Sequence, residues 1–392
     1  MYYNNFTEKL LDLQGVIVKE IEKDCENNII HIETVKKEEK CPHCHSKTSK
    51  VHDYRYQKIK DVPSFGKNTI LMLRKRRYVC PSCNKRFYPQ LDFLPRYYRI
   101  TRRVIGSILL ELKSEVSYTS VAKAHNVSIN TVCRIFDALQ YPKLGALPNV
   151  VAIDEFKGNA GGEKYLGILT DPVSKTVLDI LPKRQFNALF SYFKPLNRTD
   201  VDFFICDMWK PYRSIKETLF PDSKLITDKF HFIRQVIWDF EKVRKEEQKK
   251  LSKTYRVTFK RSKYLLNKSF NTLKPEQQQA VRNIFRISPT LEQAHDLKED
   301  FLHILTVKDF NEQKALLSDW IYTAQCYDIP EFKSSIKAIS NWFESICNAL
   351  KYNYTNGFTE GCNNKIKVLK RNAYGYQNFN RFRNRILHIF NY

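Results

Sequence analysis

Three carboxylates stand where metal-assisted chemistry needs them. Asp154 follows the apolar run Val150-Val151-Ala152-Ile153 and precedes Glu155, Phe156 and a glycine-rich turn from Gly158 to Gly162. Asp207 follows a second apolar run, Val201 to Cys206, and Glu360 lies in Asn-Gly-Phe-Thr-Glu-Gly-Cys-Asn-Asn-Lys. Acids gathered in an apolar setting repel one another, and their pKa values rise unless a cation sits between them. Mg²⁺ takes few protein carboxylates and leaves positions for phosphate oxygens. Two such ions about 3.5–4 Å apart activate a nucleophile and stabilise the leaving oxygen of an in-line phosphoryl transfer. The three acids are therefore expected to be both catalytic residues and ligands of Mg²⁺ (or Mn²⁺). Each acid alone also has a structural reading: a strand-end turn acid, an Asx-turn and a helix-start acid. Glu155 is left out, because side chains alternate along a strand and it points to the other face.

A second set of metal-ligating residues is Cys41-Pro-His-Cys44 and Cys80-Pro-Ser-Cys83. A CxxC turn presents two thiolates from one knuckle, and two knuckles complete a tetrahedral Zn²⁺ site. The 35 residues between the pairs exceed the usual spacing, so they must fold as strands, for which Ile70–Arg74 and Arg77–Val79 are suited. His43 and His45 are expected as exposed loop imidazoles. Lys75, Arg76, Arg77, Lys85 and Arg86 flank the knuckles and suit phosphate contacts.

A helical block covers residues 95–141. Thr101 can cap a helix reaching about Lys113. Tyr118 to His125 makes a short helix, Asn126-Val127-Ser128 a turn and Ile129 to Leu139 a second helix. Ala122, Val127, Val132 and Ile135 supply the small and apolar contacts of a helix-turn-helix. Its second helix would show Asn130, Thr131 and Arg134 to a major groove.

These modules sit in a chain of 392 residues with 42% hydrophobic residues and a formal net charge of +24. Length and composition indicate several globular domains rather than disorder. The basic excess points to nucleic acid, because each neutralised phosphate releases counterions. No apolar run approaches the roughly 20 residues that span a bilayer. The opening Met1-Tyr2-Tyr3-Asn4-Asn5 does not read as a secretory signal, so a reducing, cytoplasmic compartment is expected, where paired cysteines bind metal.

The positioning elements follow from pattern. The fold class expected is α/β, or α+β multidomain. Residues 1–94 carry the zinc-binding segment, and residues 95–145 the helix-turn-helix. The strand ending at Asp154 begins a meander with Lys164–Leu169 and Thr176–Leu181. Then come a helix at Asn187–Phe193, strand Val201–Cys206, a helix at Pro211–Thr218 and strand Lys224–Thr227. Three antiparallel strands followed by alternating helices and strands is the order of an RNase H-like core, assigned to residues 149–230 and 352–392. Residues 231–351 read as an all-helical insertion, and from Phe230 onward Phe230, Ile233, Ile237, Phe240 and Val243 recur at helical spacing. Pro275, Pro289 and Pro330 mark helix starts. Trp209, Trp320 and Trp342 read as core. Glu360, Asn364 and Lys367 share one helix face, and Lys365, Lys367, Lys370 and Arg371 are expected to contact DNA.

The knuckles and the helix-turn-helix join Ala-Ile-Asp154-Glu-Phe, Cys-Asp207-Met-Trp-Lys-Pro-Tyr, Thr-Asp228-Lys-Phe-His231, the Glu360 motif and Lys-Arg-Asn-Ala-Tyr-Gly-Tyr. Over nearly its full length the chain thereby resembles the transposases of the ISL3 family of bacterial insertion sequences. The resemblance implies a DDE triad of Asp154, Asp207 and Glu360 with a helical insertion before the glutamate. It implies double-stranded DNA substrates: the terminal inverted repeats of the element, then a target. It also carries a D-x-x-H signature to Asp228 and His231 as support for the site, whereas the residues alone equally describe an N-cap aspartate with a packed histidine. Neither reading makes those two metal ligands. A homo-oligomer, dimer or larger, and association with the bacterial nucleoid follow by analogy. Two other classes fit the same residues: a catalytically silent DNA-binding regulator, and a nuclease without strand transfer.

Overall fold

The computed structural model describes residues 9–391. The opening Met1 to Asn5, on which the reading of no secretory signal rests, lies outside the described residues. The chain divides into two compact units. One comprises Met1–Tyr141, Ile366–Tyr376 and Asn380–Tyr392; the other comprises Pro142–Lys365 and Gln377–Phe379.

The first unit opens with strands β1 (Val16–Lys23), β2 (Asn27–Thr34), the short β3 (Glu39–Lys40) and β4 (Lys47–Thr48), then β5 (Val51–Ser64), β6 (Lys67–Val79) and β7 (Arg86–Phe87). The sheet order is β1-β2-β6-β5, with β7 on β6 and with β3 and β4 paired separately. Val18, Ile32, Ile59, Leu71 and Leu73 fill its core. The β5–β6 hairpin turns at Phe65 and Gly66, with φ of 54° and 73°, as a tight primed turn requires. This long hairpin is the reason the two cysteine pairs lie so far apart in sequence. Arg76, expected to face phosphate, is instead buried and ion-paired with Glu33. An inward guanidinium needs a carboxylate, and β2 supplies it.

Helix Arg102–Glu111 starts at Thr101, whose hydroxyl accepts from the Val104 amide. Helices Tyr118–Ala124 and Ile129–Asp137 start at Ser117 and Ser128, each capping in the same way. Asn126 turns the chain between them with φ of 50°. Ala122, Val132 and Ile135 are buried and Val127 is partly buried.

The C-terminal segment differs from expectation. Residues 352–392 do not form one body with the second unit, because Ile366–Tyr376 and Asn380–Tyr392 belong to the first. The physical reason is the side of helix Phe379–Asn391 that carries Arg385. Arg385 is fully buried and donates to the Ser114 and Val116 carbonyls at 2.8 and 3.0 Å. Arg381 pairs with Asp137, and His388 bonds Leu109 O and the Tyr141 hydroxyl.

The second unit is built on strands β8 (Val150–Ala160), β9 (Glu163–Asp171), β10 (Thr176–Leu181), β11 (Phe203–Cys206) and β12 (Lys224–Thr227), in the order β10-β9-β8-β11-β12. β8, β9 and β10 pair antiparallel, while β8, β11 and β12 run parallel. β8 does not end at Asp154 as expected but continues as a hairpin arm with β9, turning at Gly161 and Gly162. Gly158 is inside the strand, where any Cβ would fall 2.4 Å from Leu166. What ends near Asp154 is the parallel pairing with β11, whose last bonded pair is Ala152 with Ile205.

Every element from Lys229 to Lys351 is helical, with Pro275, Pro289 and Pro330 each opening a helix. The inward face of helix Lys229–Lys250 carries Phe232, Val236, Phe240 and Val243. Phe230, expected on that face, is instead 50% exposed. A 3.6-residue period run from Phe232 leaves Phe230 on the outer side. Trp320 and Trp342 are buried as expected, and Trp209 is half-buried against the same core.

Removing the buried guanidinium should leave two carbonyls unpaired and a void. Arg385→Ala is expected to destabilise the first unit by about 2–4 kcal/mol, read as a lower denaturation midpoint by calorimetry.

Candidate active site

The register of the parallel strands assembles the site. Cys206 on β11 pairs with Thr227 on β12, so the next residues, Asp207 and Asp228, leave the sheet side by side. Asp154 stands two residues past Ala152, as Asp207 stands two past its partner Ile205. Asp207 and Asp228 therefore rise at the carboxyl ends of parallel strands, the usual ligand-binding edge of such sheets, and Asp154 lies level with them where the parallel pairing of β8 stops.

His231 lies between two of them. Its Nδ1 is 2.8 Å from Asp207 Oδ1 and 3.2 Å from Asp228 Oδ2. Asp228 occupies the N-cap position of helix Lys229–Lys250 but makes no side-chain capping bond. Its other oxygen faces the Asn356 amide at 3.4 Å. Asp228 and His231 therefore sit against Asp207, with Asp228 at the helix N-cap position and its side chain turned to His231 rather than to the helix amides. Asp207, Asp228 and His231 bring three possible ligand atoms within 4.8 Å of one another, a group that does not include Asp154 or Glu360; those two carboxyls are near enough to feel the charges of Asp207 and His231.

Helix Gly357–Asn372 brings Glu360. Thr359, fully buried, bonds Thr170 of β9 at 2.8 Å and fastens the first turn to the sheet. One turn after Glu360, Asn363 donates to Asp154 Oδ2 at 2.7 Å. Sequence reasoning singled out Asn364, which is exposed, rather than Asn363, which is buried. The i, i+3 spacing from Glu360 was the available signal. Glu155 faces away and pairs with Arg184.

The charges are strained. Burial, then the nearby Asp207, push the Asp154 carboxyl up to about 7. Burial and then Asp228 raise Glu360, against the pull of His231 and Arg234. Burial alone would lower His231, but its bonds to Asp207 and Asp228 prevail and lift it to about 9. Converging carboxyls held above their ordinary range, with one imidazolium among them, are the donor set a divalent cation would relieve.

The four cysteines converge as well. Cys41 Sγ lies 3.6 Å from Cys83 Sγ, and Cys44 Sγ 3.4 Å from Cys80 Sγ. All four sulfurs fall within 4.8 Å of one another. The Ser46 backbone amide and then its hydroxyl lower the Cys44 thiol to about 6, which favours the thiolate that a metal needs. His43 and His45 are exposed and lie outside this cluster. Of the expected DNA contacts, Asn130, Arg134, Lys367 and Arg371 are exposed, and Thr131, Lys365 and Lys370 are half-buried. Arg134 lies 5.9 Å over the Tyr98 ring and, with Lys60, Arg99 and Thr131, lines a cleft of about 590 Å³.

Thiolate knuckles, a helix-turn-helix and acids at strand ends, joined in one chain, define a DNA-binding protein of the transposase class. Residues 151–386 match the family described as transposase, ISL3 type. Residues 37–83 match the zinc finger of the IS204/IS1001/IS1096/IS1165 transposases, and residues 89–140 the helix-turn-helix domain of transposase family ISL3. The chain is 24% identical over 351 residues to the transposase of insertion sequence element IS1001 from Bordetella parapertussis, covering 86% of this chain and 85% of that one. Shorter similarities are 33% over 118 residues to the transposase of IS1557 from Mycobacterium tuberculosis, 26% of that protein. A Lactococcus lactis protein named ATP-dependent protease is 35% identical over 107 residues, 33% of its length. The chain belongs to the ISL3 family of transposases. Its four-cysteine ribbon is a Zn²⁺ site, and the DDE family uses Mg²⁺ or Mn²⁺. Among the described residues no helix is long and apolar enough to cross a membrane.

Two outcomes follow. Metal analysis should find about one zinc per chain, lost in Cys80→Ser. In Mg²⁺-free solution the fold retains a proton on Asp154 between its ordinary 3.8 and about 7, and on His231 between 6.5 and about 9. The native state binds more protons than the unfolded chain across both windows, so stability falls as pH rises through them. The thermal midpoint should drop between about pH 4 and pH 9, and Asp154→Asn should flatten the part of that fall below about pH 7.

Proposed function

We propose that this transposase binds the terminal inverted repeats of its insertion sequence, hydrolyses a phosphodiester at each end and joins the freed 3′-OH to target DNA. The catalytic unit is read as an RNase H-like core, which its β10-β9-β8-β11-β12 order supports, and residues 231–351 as a helical insertion within it. The observation that carries the reading is the gathering of Asp207 and Asp228 at the ends of parallel strands with Asp154 level with them on β8, and with Glu360 brought up by a helix fastened to the same sheet.

Asp154, Asp207 and Glu360 are the residues that would hold Mg²⁺ or Mn²⁺. Bound there, the metal supplies Lewis-acid stabilisation of the phosphoryl oxygens and a nucleophile at neutral pH. The protein's own part is positional. Asn363 fixes one oxygen of Asp154 and leaves the other turned to the Glu155 amide at 2.7 Å. His231 holds Asp207 and Asp228 in place and offsets their charge. The helix-turn-helix presents Asn130, Thr131 and Arg134 to base edges, and Lys365, Lys367, Lys370 and Arg371 neutralise backbone phosphates. Both element ends must be held together, which a dimer or larger assembly would provide, in the cytoplasm at the nucleoid.

The test is purified protein with labelled terminal repeats, a target plasmid and Mg²⁺ or Mn²⁺. Wild type should cleave and join. Asp154→Asn, Asp207→Asn and Glu360→Gln should each lower cleavage by at least about 10³-fold while end binding stays near normal. Cleavage without joined product identifies a nuclease, and binding without cleavage a DNA-binding regulator.

A further inference from the structure

The face of helix Lys229–Lys250 that turns away from the core carries an unusual set of side chains. Phe230 is 50% and Trp238 53% exposed, although aromatic rings of this size are mostly covered in folded proteins. Arg234 lies between them, its guanidinium carbon 4.8 Å from the Phe230 ring centroid and 4.6 Å from that of Trp238. The three are spaced i, i+4 and i+8 and so form one ladder, about 12 Å long at 1.5 Å per residue. Lys245, exposed, continues the same face. The ladder starts at the acids: Phe230 packs edge-on against His231 at 5.7 Å, and Arg234 is near enough to Glu360 to draw its carboxyl downward.

Core packing does not explain this face, since the inward residues of the helix are Phe232, Val236, Phe240 and Val243. Among the described residues no ion pair is formed by Arg234, whose guanidinium lies over the two rings. Rings alternating with a guanidinium offer flat faces and positive charge together. That combination suits an unpaired nucleic-acid strand, whose bases stack on aromatics and whose phosphates need cations. At about 3.4 Å per nucleotide the ladder spans roughly three to four bases.

We propose that Phe230, Arg234 and Trp238 form a stacking surface for unpaired DNA bases next to the phosphodiester on which the acidic site acts. The inference rests on the proposed function of that site. Bases drawn out of the duplex beside the cut would lie along the ladder, and the strand end would be held at the acids. Stacking of this kind is insensitive to base identity, so sequence reading is left to the helix-turn-helix.

The experiment uses the full-length Asp154→Asn chain, without metal turnover, and a short oligothymidylate. Trp320 and Trp342 are buried and Trp209 is half-buried against the core, so Trp238, 53% exposed, is the tryptophan best placed to be quenched by a stacked base, and the Trp238→Ala chain reports any part of the quench that belongs to Trp209. The oligonucleotide should quench emission in the parent. Trp238→Ala should abolish most of the quench and weaken oligothymidylate binding about tenfold, with duplex-end binding unchanged. Trp238→Phe should keep most of the affinity, and an unchanged thermal midpoint in each variant shows that the fold is retained. Unaltered oligothymidylate affinity in the Phe230→Ala, Trp238→Ala double variant overturns the proposal. If that variant instead sediments as a smaller species, the face joins copies of the chain. Because the readout is binding, it is independent of cleavage: residual cleavage by Asp154→Asn would count against the acidic site and leave this measurement standing.

Discussion

Like charges at the ends of parallel strands are the constraint around which the second unit is arranged. Strand register alone delivers Asp207 and Asp228 side by side and Asp154 beside them. Such a cluster is unfavourable without positive charge, and the chain responds within its own means. His231 is lifted towards its charged form between two carboxylates, while Asp154 is pushed towards its protonated one. A divalent cation would replace both adjustments at once. Neighbouring elements follow from the same need for fixed geometry: buried Thr170 and Thr359 fasten the helix that carries Glu360, and Asn363 reaches back from that helix to Asp154.

The zinc ribbon and the helix-turn-helix lie in the first unit, where the physics is different. There the long β5–β6 hairpin separates two cysteine pairs in sequence and brings them together in space. Serine caps start both helices of the helix-turn-helix, so the recognition helix is set at its first turn rather than by its length. Cations of this unit divide by burial: Arg76 on β6 pairs with Glu33 inside the sheet, whereas Arg134 of the helix-turn-helix stays exposed beside Tyr98 and a basic cleft.

Most of the fold was legible because local patterns agreed with the final packing. Apolar runs gave the strands, with Thr176–Leu181 and Lys224–Thr227 read at their observed bounds, and Thr101 and three prolines gave helix starts, while the capping roles of Ser117 and Ser128 emerged only in the fold. What was missed depends on partners far along the chain. Whether β8 stops at Asp154 depends on its partner β9, which pairs with it as far as Ala160 although the pairing with β11 has ended. The allegiance of residues 366–392 depends on carbonyls near Ser114 that accept from Arg385. Asp228 and His231 could be recognised as a motif, yet their junction with Asp207 needs the β11–β12 register. Asn363 was hidden by its neighbour Asn364, since adjacent identical residues give no sign of which one faces inward. A hydrophobic period that could begin at Phe230 or Phe232 was resolved only by the packed face.

The central claim is that Asp207 is a direct ligand of the catalytic metal, and a change of ligand chemistry tests it most directly. A thiolate prefers softer ions than Mg²⁺. Asp207→Cys should therefore cleave terminal-repeat DNA poorly in Mg²⁺ and regain activity in Mn²⁺, by a margin well beyond any Mn²⁺ preference of the wild type. Equal activity of the variant in the two metals, at the wild-type level, would contradict the account.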